Sequence, residues 1–153
     1  MKTWTGAAAG RFRLERSQDG TPADMRVSFA TGDAFLGETS PLTDRRSGLI
    51  VGADIAIAAN VAGDSMGQQL VIYLTALHEL GHALGLPHSD DLADIMYLFR
   101  RPDDPDRYFG AYRKRLRSAD DIGSARASGL SARDIAALSD LYRDQTGTSH
   151  DLR

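Results

Sequence analysis

Hydrophobic and polar positions alternate twice near the start of the chain. RFRLERS, residues 11–17, sets Phe12 and Leu14 between charged neighbours, and MRVSFAT, residues 25–31, repeats the period of two. Such alternation predicts strands with one buried face. DGTP at 19–22 is a turn signal between them. Residues 32–48, GDAFLGETSPLTDRRSG, have Gly, Pro, Ser and Asp spread through them and read as loop. LIVGADIAIAA, residues 49–59, is a third extended stretch, either one strand or two short ones meeting near Gly52.

The period then changes. Leu70, Leu74, Leu77, Leu80 and Leu84 recur at steps of three and four, which predicts an amphipathic helix over about 66–84. Asp64 or Ser65 can cap it, and Ser65 with Gln68 has capping-box spacing. Gly85 suits the left-handed position after the last turn, and Pro87 forbids continuation. Residues 98–129 read as a long irregular segment rich in Arg, Asp and Gly. Its RKRLR run, 113–117, fits a solvated face better than an anion-binding patch. LSARDIAALSDLYRD, 130–144, predicts a last helix, with Ser131 as cap, Asp134 at its third position and an apolar stripe of Leu130, Ile135, Leu138, Leu141 and Tyr142. His150 falls in a polar tail and reads as a surface residue.

Composition narrows the function classes. The 153 residues suffice for one domain with a real core. A net charge of −3 offers no field to collect phosphates, which argues against general nucleic-acid binding. With no cysteine, disulfides, thiolate ligands and cysteine nucleophiles are excluded. MKTWTGAAAG does not read as a signal peptide, and no stretch reaches the roughly 18 apolar residues of a membrane span.

Three of the four histidines lie in HELGHALGLPHS, residues 78–89. Residues i and i+4 of a helix share a face, so His78 and His82 can offer two imidazole nitrogens to one ion. A catalytic zinc takes about three protein ligands and keeps an open position for water. The third ligand must approach from another direction, so the chain has to leave the helix axis first; Gly85 permits that turn and His88 follows. Glu79 lies about 100° around the helix from His78, within reach of the open position without being a ligand. A zinc there would bring the pKa of its water near neutral, and Glu79 could accept the proton. The competing readings are a hydrogen-bonded histidine trio, which would need no glycine turn, and a structural zinc, which would need a fourth ligand that is not nearby.

HExxHxxGxxH resembles the metzincin signature, and Ser89 after the third histidine resembles its matrixin branch. SDDLADIMY continues the likeness: Ser89, Asp91, Met96 and Tyr97 match the matrixin pattern, whereas Asp94 and Leu98 replace an alanine and a proline. The resemblance implies that Met96 is the apolar floor beneath the metal. Tyr97 follows it directly, so a fifth, tyrosine ligand is not expected. At lower specificity, ADMRVSFATGD resembles a matrixin strand, LSARDIAALSDLY resembles the family's C-terminal helix, with Asp134 supporting the Met-turn, and Trp4 and Phe12 resemble the end of the first helix and the next strand.

The resemblance implies an α/β (α+β) zincin-like domain over 1–153: a twisted mixed sheet, an active-site helix and a C-terminal helix. The function it implies is a zinc-dependent endopeptidase with one catalytic Zn²⁺, held by His78, His82 and His88, and Glu79 as general base. The substrate is an extended polypeptide bound beside an edge strand expected within 49–58; nucleic acid and membrane are not expected partners. The alternative is a zinc-holding but inactive binding module. Family calcium sites cannot be placed residue by residue. The likeness also implies export, with an intracellular peptidase as the other compartment, and loss of the first strand and most of the first helix, leaving a sheet edge to be covered by dimerisation or otherwise. Arg133 stands where matrixins carry an aspartate that receives the freed N-terminus, so that salt bridge is expected to be missing. The long 98–129 segment occupies the stretch that in matrixins walls the pocket for the side chain after the scissile bond.

Overall fold

The computed structural model describes residues 1–18, 21–31 and 36–143. In chain order its elements are helix α1 (Lys2–Ala7), strands β1 (Met25–Ala30), β2 (Gly37–Thr43) and β3 (Ile50–Ala58), helices α2 (Ser65–Ala83) and α3 (Asp104–Arg113), a 3₁₀ turn (Ala119–Asp121) and helix α4 (Ala132–Leu141). The architecture is mixed α/β, as expected. Asp19 and Gly20 of the expected turn, residues 32–35 and His150 lie outside the described residues.

The strands form one mixed sheet in the order β1–β3–β2. β1 runs parallel to β3, with Val27 beside Ile55, and β2 runs antiparallel, with Thr39 also beside Ile55. Residues 49–58 were expected at the edge; they hold the centre instead. The reason is burial: Ala53, Ile55 and Ile57 are 2% exposed or less and pack under α2. The edge beside α2 falls to GETSPLT, inside the stretch read as loop. Its glycine and proline masked the strand, yet Pro41, which cannot donate to a ladder, is tolerated at an edge.

RFRLERS alternates as expected but joins no sheet. Phe12 packs on Tyr142 with ring centroids 4.9 Å apart, and the Leu14 amide donates to Thr5 Oγ1 at 3.0 Å. Helical side chains, not a ladder partner, cover its apolar face.

Helix α2 begins where Asp64 accepts from the Gly67 amide at 2.7 Å. Its apolar residues form two faces, not one. Leu70, Leu74 and Leu77 pack with Trp4, Ile95, Met96, Tyr112 and Leu138, whereas Ile72, Ala76 and Ala83 lie against the sheet. Trp4 is fully buried and donates Nε1 to the Leu77 carbonyl at 2.9 Å. With both faces covered, a third sector of the helix, bearing Thr75, His78, Glu79 and His82, is left to line a cavity.

The 98–129 segment is not irregular throughout, because α3 crosses it. Asp103-Asp104-Pro105 is a helix-start signal, with acids in the first turn and Arg113 in the last. Tyr112 anchors the helix by donating its hydroxyl to the Ala127 carbonyl at 2.6 Å. In RKRLR, Arg113, Lys114, Arg115 and Arg117 are exposed, and Arg113 holds the Asp64 carboxylate with two contacts of 2.8 and 2.6 Å. Helix α4 carries the expected capping box of Ser131 and Asp134.

Register partners in a parallel ladder point to the same side, so Val27 and Phe29 share the face of Ile55 and Ile57. They are nevertheless 50% and 65% exposed, because α2 packs over β2 and β3. Among the described residues, no helix is long and apolar enough to cross a membrane.

Candidate metal centre

His78 and His82 stand one turn apart on the uncovered sector of α2. The helix then ends in a Schellman motif: the Leu86 amide donates to the Gly81 carbonyl and the Gly85 amide to the His82 carbonyl, both at 2.9 Å. Gly85 takes φ +94°, which a side chain would strain. This reversal swings His88 back towards the helix. One ligand atom from each of His78, His82 and His88 lies within 4.8 Å of the others.

The outer ring nitrogens set the tautomers. His78 Nδ1 is 2.7 Å from the Ile95 carbonyl and His82 Nδ1 is 2.9 Å from the Leu86 carbonyl, so each Nδ1 carries the proton. Each Nε2 then presents a lone pair. His82 Nε2 and His88 Nε2 are only 3.1 Å apart. At that distance a proton or a cation must sit between the two nitrogens. Zn–N bonds of about 2.0–2.1 Å in a tetrahedron put ligand nitrogens roughly 3.3 Å apart, close to the spacing of this pair, and three imidazoles are a donor set that suits zinc. Burial pushes the His78 and His88 pKa values below the ordinary 6.5, and the neighbouring imidazoles push the same way. That favours the neutral rings a metal requires.

Glu79 is 6% exposed. Its Oε2 accepts from Thr39 Oγ1 at 2.7 Å. Burial raises its pKa above the ordinary 4.5, opposed by the Thr39 hydrogen bond and by His82 and His88. A carboxyl raised towards neutrality suits proton transfer.

Beneath the helix, Met96 is 3% exposed, and a Cβ built on Gly81 would lie 2.4 Å from its Sδ. Only a glycine lets the methionine so close. Ser89 and Tyr97 form a short parallel bridge around it, with the Ser89 amide donating to the Met96 carbonyl at 2.7 Å. Asp134 Oδ2 accepts from the Ile95 amide at 2.9 Å and the Ser131 amide at 2.7 Å. One carboxylate thus caps α4 and fixes the residue whose carbonyl orients His78.

The two departures noted at Asp94 and Arg133 meet. Buried Asp94 accepts from Ser131 Oγ at 2.7 Å, and Arg133 Nε stands 3.7 Å from its other oxygen. Arg133 Nη1 also lies 4.0 Å from Asp91.

A cavity of about 490 Å³ opens beside the histidines. Its far wall is aromatic: Phe99 meets Tyr108 and Phe109 edge-on, at 5.6 and 5.9 Å between centroids. Tyr97 also lines it and donates its hydroxyl to Asp104 Oδ2 at 2.9 Å. Asp104, fully buried, takes the Arg100 and Arg101 amides as well, at 2.9 and 3.0 Å.

The sequence pattern marks the histidines, Glu79, Gly85, Met96 and Asp134, and the structure brings the three histidines together. Gly81, Thr39, Asp104 and the aromatic wall come into view only in the fold. Gly81 carried a signal, since an interior helix glycine costs about 1 kcal/mol against alanine and needs a packing reason. Asp104 carried the helix-start signal beside Pro105. Thr39 carried none, lying in a strand that reads as loop.

Residues 1–126 match the family model described as matrixin. The chain is 35% identical over 81 residues to interstitial collagenase of Oryctolagus cuniculus, covering 49% of this chain and 17% of that protein. It is 36% identical over 111 residues to matrix metalloproteinase-15 of Homo sapiens, covering 63% and 15% respectively. Interstitial collagenase of Bos taurus aligns at 35% over 81 residues, again 49% and 17%. The alignments therefore span less than a fifth of the length of those relatives. No solved structure matches the chain.

Proposed function

The chain belongs to the matrixin family, and from that premise we propose that it is a zinc-dependent endopeptidase whose metal ligands are His78, His82 and His88. The observation that carries the reading is the convergence of those nitrogens within 4.8 Å, next to a buried carboxylate and a cavity. A bound zinc would acidify a water molecule and polarise the scissile carbonyl. Glu79 accepts a proton from the attacking water at its carboxylate and returns it to the leaving amine. Met96 closes the floor, and Asp134, through Ile95, holds the His78 ring in place.

The substrate is an extended polypeptide, added as a strand to the outer edge of β2, with one side chain entering the aromatic-walled cavity. Residues 1–153 act as one catalytic domain. Export belongs to the same reading and rests on the family alone.

Replacing Glu79 with Gln tests it. One zinc per chain should remain, while cleavage of a mixed peptide library falls by about 10²–10⁴-fold, the usual worth of a general base. A fully active variant removes Glu79 from its role. A folded, zinc-loaded parent with no chelator-sensitive cleavage favours the inactive binding module instead.

A further inference from the structure

A glutamate side chain has three rotatable bonds, so a general base of this type needs something to hold it. Resting on the endopeptidase reading above, we propose that Thr39 is the positioning residue for the Glu79 carboxylate, acting from strand β2 across the sheet–helix interface.

The Thr39 hydroxyl lies 2.7 Å from Glu79 Oε2 and 2.9 Å from the Glu79 main-chain carbonyl. The one hydroxyl proton goes to the carboxylate, and with the main-chain carbonyl of the same residue also beside the hydroxyl, the side chain is folded back along α2. The shorter contact is to the carboxylate, as a charge-assisted bond should be. Gly37 leaves the room this arrangement needs. Alternate residues of a strand share a face, so Gly37 and Thr39 both look towards the helix. A Cβ on Gly37 would stand 2.8 Å from Glu79 Cγ and 2.9 Å from Oε1. The absence of a side chain at Gly37 thus leaves the carboxylate its space while the Thr39 hydroxyl holds it.

The height of Thr39 over the helix is set elsewhere in the sheet. It pairs with Ile55, and Gly37 pairs with Ile57, two residues packed under α2 with 2% exposure each. A slip of one residue would turn both Gly37 and Thr39 away from Glu79. The edge strand to which a substrate would add is therefore also the element that aims the base.

The test compares Thr39→Val with Thr39→Ser. Valine keeps the β-branched shape and loses the hydroxyl; serine keeps the hydroxyl. Thr39→Val should lower kcat at least tenfold, leave KM within twofold, and leave zinc affinity and Tm at parent values. Thr39→Ser should recover most of kcat. Parental kcat in Thr39→Val overturns the proposal, as does a loss that falls on KM or Tm and is not rescued by serine. Should the parent itself cleave nothing, the endopeptidase reading fails separately. A zinc-loaded crystal structure of Thr39→Val then decides the positioning role: a displaced Glu79 carboxylate upholds it, and an unmoved one overturns it.

Discussion

Arg133 and Asp94 form an ion pair between helix α4 and the turn that carries Met96, with Nε 3.7 Å from Oδ2. Asp94 Oδ2 is buried and makes no hydrogen bond, so the guanidinium is what compensates its charge. Arg133→Ala should cost about 1–2 kcal/mol, below the usual 3–5 for a broken buried pair because the arginine itself is largely solvated. Removing both partners should be less harmful than removing Arg133 alone, since no uncompensated charge is left behind. Urea melts of the two variants check the order; an Arg133→Ala protein as stable as the parent would deny the pair any role.

Gly81 lets Met96 and Trp4 approach helix α2. Alanine there gains roughly 1 kcal/mol of helix propensity but places its Cβ 2.4 Å from Met96 Sδ and 3.3 Å from Trp4 Cζ2. Overpacking of this kind costs about 1–3 kcal/mol. Gly81→Ala should therefore lose stability on balance. A gain in its denaturation midpoint would show that the methionine simply moves aside.

Asp104 gives a pH dependence whose sign follows from its partners. The Arg100 amide, with the Tyr97 hydroxyl, the Arg101 amide and Arg107, holds its carboxyl below the ordinary 3.8 against the opposing effect of burial. A depressed folded value means its contribution is complete above 3.8 and is lost as pH falls through the lower, folded value. Asp104→Asn should melt below the parent at neutral pH, and the gap should close only below 3.8. Thermal melts along a pH series measure it. A gap already closing near pH ~6, in the histidine range, would point to another group.

Phe109 forms part of the aromatic wall. Truncating it to alanine widens the cavity, and a changed apolar pocket shifts selectivity by about 10-fold or more. Ratios of kcat/KM for peptides differing only in the side chain after the scissile bond should move in favour of larger residues. Unchanged ratios would place that side chain somewhere else.

The histidine trio, Glu79 beside it and the glycine turn could be read from spacing, because i and i+4 positions, a left-handed glycine and a capping box are local geometry. The leucine repeat placed α2 within about one residue of its ends for the same reason. Which strand flanks the helix could not be read locally. GETSPLT has few apolar residues, and its place at the edge depends on β3 burying Ala53, Ile55 and Ile57 under the helix. The alternation of Phe12 and Leu14 was equally misleading, since it tells which face is buried but not whether a strand or a helix buries it.

The chain's own order of residues determined what can grip an ion and what can carry a proton, since these chemistries are written within one turn of helix and the loop after it. Tertiary structure alone decided what holds them. Thr39 reaches Glu79 across 40 positions, and Asp134 reaches Ile95 across 39. Contacts between residues so far apart have no period along the chain; they exist only once the sheet and the last helix have packed against α2.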